Sequence, residues 1–148
     1  MALKANRVKA LLSILNCLLS EYFKIYRMKK IFIADDDPDI LEILSLMLKM
    51  AGYEVQTSSN AIDIFNLAGN LPDLILLDIW MSGTDGREVC RQLKENDLTK
   101  NIPVVFLSAN SRINEISEEY NARDFIAKPF EMEFLLKKVR TILSEAPV

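Results

Sequence analysis

Residues Leu74, Ile75, Leu76 and Leu77 form an uninterrupted apolar run of strand length, preceded by the breaker pair Pro72-Asp73 and closed abruptly by Asp78. A strand with no polar face must be covered on both sides, which is the situation of a central strand in a parallel sheet flanked by helices. Open α/β sheets place their ligands just beyond the carboxyl ends of such strands, so Asp78 stands where chemistry is expected. Gly83, Asp85 and Gly86 then turn the chain.

The rest of the chain repeats the alternation of strand and helix. Residues 31–34 are a short apolar strand closed by Asp35, Asp36 and Asp37. Asp37-Pro38 starts a helix, since a short carboxylate suits the N-cap and proline the first helical position. Ile40, Leu41, Ile43, Leu44, Met47 and Leu48 then recur at helical spacing until Gly52. A second strand is expected over 53–57, and Ser58 to Asn60 open a helix carrying Ala61, Ile62, Ile64, Phe65 and Leu67. Asp85 caps a helix over 87–96, and the run 104–107 ends in Ser108. A helix over 113–120, a strand over 123–127 and a helix over 131–143 follow, the last with Phe134, Leu135, Val139 and Ile142 as its buried stripe. Five such alternations joined by right-handed crossovers make an α/β fold, a five-stranded parallel sheet with helices on both faces.

At 148 residues with 50% hydrophobic side chains, the chain suits one domain with a real core, placed at residues 28–148. The net charge of −3 hides an asymmetry. Residues 1–27 carry five Lys/Arg and one Glu, leaving 13 Lys/Arg and 20 Asp/Glu, a net −7, for the remainder. An acidic body with no basic stripe argues against nucleic acid as a direct partner. Cys17 and Cys90 lie far apart in no metal-ligand spacing, which suits a reducing compartment and a cytoplasmic location. The chain has no histidine, which removes histidine-based triads and most zinc sites.

Residues 1–27 stand apart. Val8, Leu11, Leu12, Leu15, Leu18, Leu19, Tyr22, Phe23 and Tyr26 share one helical stripe, while Lys9, Ser13, Asn16, Ser20 and Lys24 face away. The apolar stretch falls short of the roughly 20 residues that a spanning helix needs, so no transmembrane segment is expected. Two readings stay open: an amphipathic helix for docking on a partner, an anionic membrane surface or a second copy, or a leader upstream of a true start at Met28.

If the strands are parallel, Asp35, Asp36, Asp78, Ser108 and Lys128 converge on one edge of the sheet. Two carboxylates about 4 Å apart repel by roughly 4 kcal/mol at an effective dielectric near 20, so three together demand a cation or a shared proton. With oxygen ligands only, that cation should be hard, and Mg²⁺ suits a site that also receives a phosphate. Asp78 is the candidate nucleophile toward phosphorus, with Lys128 and Ser108 placed to hold phosphoryl oxygens.

The segments FIADDDPD, LILLDIWMSGTDG, VVFLSAN and DFIAKPF resemble the four signature stretches of the receiver domain of two-component response regulators. That resemblance implies a flavodoxin-like strand order of 2-1-3-4-5, an order that general fold knowledge also associates with a receiver protein. It implies Asp35 and Asp36 as the metal-binding acidic pair and Asp78 as phosphoacceptor and ligand. Trp80 would lend its backbone carbonyl to Mg²⁺, Ser108 would be the switch hydroxyl, Phe125 the switch aromatic, and Lys128 the lysine whose bond to Pro129 is cis. The implied protein is a single-domain regulator, not an enzyme beyond self-phosphorylation and self-dephosphorylation. Its expected partners are a histidine kinase or histidine phosphotransfer protein upstream and an unidentified protein downstream, terminal output and relay both being open.

Three positions depart from the family pattern. Ser82 replaces a proline, which is expected to loosen the loop after Asp78; Phe125 lacks the hydroxyl of the commoner tyrosine; Asn121 replaces a glycine. Rival readings are a phosphorylation-independent adaptor, a metal-dependent phosphatase and a flavin carrier. The phosphatase would need a carboxylate where Trp80 stands. The flavin carrier would need a neutral cradle where Asp35 and Asp36 stand.

Overall fold

The computed structural model describes residues 1–145, the side chains of 24–26 excepted. Helix α1 (Ala2–Tyr26) comes first. Its large apolar side chains Val8, Leu11, Leu12, Leu15, Leu18, Leu19, Tyr22 and Phe23 are all exposed. Among the described residues, no helix is long and apolar enough to cross a membrane.

Then follow β1 (Lys30–Ala34), α2 (Pro38–Met50), β2 (Glu54–Ser58), a 3₁₀ helix (Ala61–Asn66) and β3 (Leu74–Asp78). A two-residue hairpin, β4 (Trp80–Met81) with β5 (Thr84–Asp85), leads into α3 (Gly86–Glu95), β6 (Val104–Ser108), α4 (Ile113–Glu119), β7 (Asp124–Ala127) and α5 (Met132–Glu145). The main sheet is parallel with the order β2-β1-β3-β6-β7. Counting only its five strands, this is the expected 2-1-3-4-5. All five residues of β3 are buried, as a strand without a polar face requires.

Alternate residues of each strand enter two cores on opposite sides of the sheet, as the pleat dictates. Phe32, Ile75, Leu77, Val104 and Phe106 meet the 3₁₀ helix, α3 and α4 through Ile64, Val89, Leu93 and Ile113. On the other side, Ile31, Ile33, Leu74, Leu76 and Leu107 meet Leu44 and Leu48 of α2 and Leu135, Val139 and Ile142 of α5.

The capping signals are realised as read. The Asp37 carboxylate accepts the Asp39 and Ile40 N–H groups with Pro38 in the first turn, and Asp85 accepts the Arg87 N–H. The α2 helix ends at Ala51, followed by Gly52 at φ 92°.

Two expectations are corrected. The segment after Asn60 is a six-residue 3₁₀ helix, not an α-helix. In a 3₁₀ helix residues three apart eclipse one another, so Ala61, Ile64 and Leu67 line the core while Ile62 and Phe65 turn outward. In α5 the buried stripe is Leu135, Val139, Ile142 and Leu143. That i, i+4, i+7, i+8 pattern leaves Phe134 one position off the inward face and 49% exposed.

Candidate functional site

The acidic edge forms because β1 and β3 are adjacent, in register from Ile31 with Leu74 to Ala34 with Leu77. Both strands therefore deliver their terminal carboxylates to the same end. Asp35, Asp36 and Asp78 each offer one oxygen, and the three oxygens lie within 4.8 Å of one another. Asp35 is fully buried and Asp78 only 7% exposed, whereas Asp36 is exposed.

Lys128, just past β7, reaches across the edge. Its Nζ lies 2.6 Å from Asp35 Oδ2 and 3.4 Å from Asp78 Oδ2. Its backbone N–H donates to Ser108 O at 2.9 Å, tying the ends of β6 and β7. The Lys128-Pro129 bond is cis. Ser108 is buried at the end of β6, its Oγ accepting the Asn110 N–H at 3.1 Å.

Burial raises the Asp78 carboxyl above the ordinary carboxylate value, and the nearby Asp35 adds to this against the pull of Lys128. Asp36 is shifted the other way. The backbone N–H and hydroxyl of Ser82 hold its carboxyl below the usual value. One ammonium faces three carboxylates, so the cluster is short of positive charge, and its donors are all hard oxygens. That donor set fits a hard divalent cation.

A model of the response regulator receiver domain matches residues 31–140. The chain belongs to this family. Among sequence relatives of this receiver domain, the DNA-binding dual master transcriptional regulator RpaA of Synechocystis is 40% identical over 119 residues, covering 78% of the chain and 49% of that protein. The phosphate regulon transcriptional regulatory protein PhoB of Pseudomonas aeruginosa is 38% identical over 130 residues, covering 81% of the chain and 57% of that protein. The chain thus spans about half the length of these relatives.

Among solved structures, a response regulator from Chloroflexus aurantiacus superposes with a TM-score of 0.74 at 34% identity, covering 80% of the chain and all of that structure. The chemotaxis protein CheY4 of Vibrio cholerae gives 0.72 at 25% identity, covering 78% of the chain and 98% of that structure. As a class, receiver domains of two-component systems take phosphate from histidine kinases and bind Mg²⁺ through an acidic cluster.

In this receiver domain, Asp35, Asp36, Asp78 and Lys128 meet at one point, with Ser108 at the end of the neighbouring strand. Phe125 is half-buried and packs against the α3 and α4 core, with Lys138 Nζ 5.3 Å from its ring. Trp80 lies beside the site and is 53% exposed. Its backbone N–H points at Asp78 Oδ1 at 3.4 Å, and the Arg87 guanidinium sits 4.5 Å from its ring centroid.

Two contributors are not evident from the sequence. One is Ser82, which does not loosen the loop: its N–H and Oγ both donate to Asp36 Oδ2, at 2.8 and 2.9 Å. The other is Gly86, whose N–H donates to Ile79 O at 2.9 Å and which packs directly on the strand end. A Cβ built there lies 2.1 Å from the Asp78 carbonyl oxygen. Backbone cannot yield to such a contact without moving Asp78 or the start of α3. Gly86→Ala is therefore expected to lower unfolding free energy by roughly 2–3 kcal/mol, read from the urea midpoint. A midpoint within experimental error of wild type would contradict that packing.

Proposed function

We propose that this receiver domain accepts a phosphoryl group on Asp78 from a histidine kinase or histidine phosphotransfer protein. The observation that carries the reading is the placement of a nearly buried carboxylate between one ammonium and two further carboxylates at the end of the central strand. Asp35, Asp36, Asp78 and the backbone carbonyl of Trp80 would hold the cation. When bound, Mg²⁺ supplies the positive charge that three carboxylates and an incoming phosphoryl group lack.

The chain's own residues divide the remaining work. An Asp78 carboxylate oxygen attacks phosphorus in line, the new O–P bond forming as the P–N bond to the donor imidazole breaks. The leaving nitrogen belongs to the donor, because this chain has no histidine. Lys128, already 3.4 Å from Asp78, pairs with a phosphoryl oxygen. The Ser108 hydroxyl turns from its local contact with Asn110 to donate to a second oxygen, and Phe125 moves with it. The signal is a population shift of the surface around β6, α4 and β7, read by another protein.

The test uses the single tryptophan. Mg²⁺ and then beryllofluoride are titrated while Trp80 fluorescence is followed, and intact mass is recorded after incubation with a small acyl phosphate. A response at each step with phosphoprotein formed is the expected result. Flat fluorescence at both steps with unmodified mass would overturn the proposal in favour of a phosphorylation-independent adaptor.

A further inference from the structure

We infer that Ser82 is a positioning residue that pre-sets the Asp36 carboxylate for metal capture; the inference rests on the cation site proposed above. The three carboxylates are not equally held. Asp35 is fully buried, with Oδ2 against Lys128 and Oδ1 accepting the Asp37 N–H at 3.0 Å. Asp78 lies at the end of a buried strand. Asp36 is exposed, in the loop between β1 and α2, where an aspartate samples several rotamers. Ser82, 46 residues away, removes that freedom by directing two donors at one oxygen.

The turn geometry does not require serine. Ser82 and Gly83 connect β4 to β5, and Gly83 has φ 79° while Ser82 has no positive φ. A positive φ confined to the second central residue is the sign pattern of a type II turn, in which proline is common at the first central position. Proline would keep the turn but could supply neither N–H nor hydroxyl. Serine therefore adds a cross-link between the loop after Asp78 and the loop after β1, and the hairpin carrying it is held from its other side by Thr84, whose Oγ1 donates to Asn60 Oδ1 at 3.2 Å. Both bonds fall on Asp36 Oδ2, so Oδ1 lies outside the cross-link.

The experiment measures Mg²⁺ affinity by calorimetry, with Trp80 fluorescence as a second reading, in wild type, Ser82→Thr, Ser82→Ala and Ser82→Pro. Partners that orient a metal ligand typically contribute 10–100-fold in affinity. Loss of both donors in Ser82→Pro should weaken Mg²⁺ binding roughly tenfold, toward the lower end of that range because Asp36 is exposed. Ser82→Ala, which keeps the N–H, should fall between, and Ser82→Thr, which keeps both donors, should match wild type. Melting temperature separates this order from a general loss of structure, and Ser82→Ala alone carries the test should the proline variant not fold. Equal Mg²⁺ affinity in wild type and Ser82→Ala, or a loss in Ser82→Thr equal to that in Ser82→Ala, overturns the inference alone. A normal Mg²⁺ series with no beryllofluoride response and no phosphoprotein mass overturns the phosphoacceptor reading and leaves this one standing. Absence of Mg²⁺ saturation in wild type overturns both.

Discussion

Asp78→Asn protein is expected to gain no phosphoryl mass and to unfold at a higher urea concentration than wild type at neutral pH. The amide is nearly isosteric but is not a nucleophile, so the bond to phosphorus cannot form and acceptance should be lost completely. The stability gain follows from burial. Asp78 is held above its ordinary carboxylate value first by desolvation and then by Asp35, with Lys128 opposing. Between the ordinary value and the raised one, the folded state binds more protons than the unfolded state. Stability from this group is therefore full at acid pH and falls as pH rises through the raised value. At neutral pH the ionised carboxylate is a cost, and the amide removes it. The advantage of the variant should shrink as pH is lowered past that range. A variant still phosphorylated, or one less stable than wild type at neutral pH, would contradict the account.

Lys128→Met should be the most destabilising of the site substitutions. Asp35 is fully buried, with Lys128 Nζ at 2.6 Å, and the lysine side chain is itself only 18% exposed. Removing the ammonium leaves three carboxylates facing one another, one of them with no access to water. Breaking a buried pair by deleting one partner typically costs 3–5 kcal/mol, and partial water access to Lys128 argues for about 3. Urea unfolding in buffer free of divalent cations measures the loss. Added Mg²⁺ should restore part of it, since a cation that binds only the folded state stabilises by about 2.7 kcal/mol at one hundred times its Kd. A loss under about 1 kcal/mol, or the absence of any Mg²⁺ rescue, would show that Lys128 does not carry the compensating charge.

The site was legible in sequence to the extent that strand ends are legible. Each of Asp35, Asp78, Ser108 and Lys128 follows an apolar run, and a parallel sheet collects the carboxyl ends of its strands on one edge. What escaped is what depends on contacts between residues far apart in the chain. Ser82 reads as a lost proline until the structure places its two donors on Asp36. Gly86 reads as turn chemistry until the Asp78 carbonyl occupies the space where a Cβ would stand. Phe134 and Leu143 exchange roles because hydrophobic spacing identifies a stripe but not its centre, and α5 settles on the sheet through Leu135 and Val139.

By itself the sequence determined the fold class, the helix starts at Asp37 and Asp85, and the set of residues that gather at the sheet edge. These follow from the period of apolar residues and from the capping chemistry of single positions, both of which act within a few residues along the chain. Only the tertiary structure decided which carboxylate Lys128 holds most closely and which loop restrains Asp36. It also decided that the segment after Asn60 winds as a 3₁₀ helix and how near α3 approaches the strand that carries Asp78. Those outcomes depend on distances between residues that meet only when the sheet closes its order, so no local pattern encodes them.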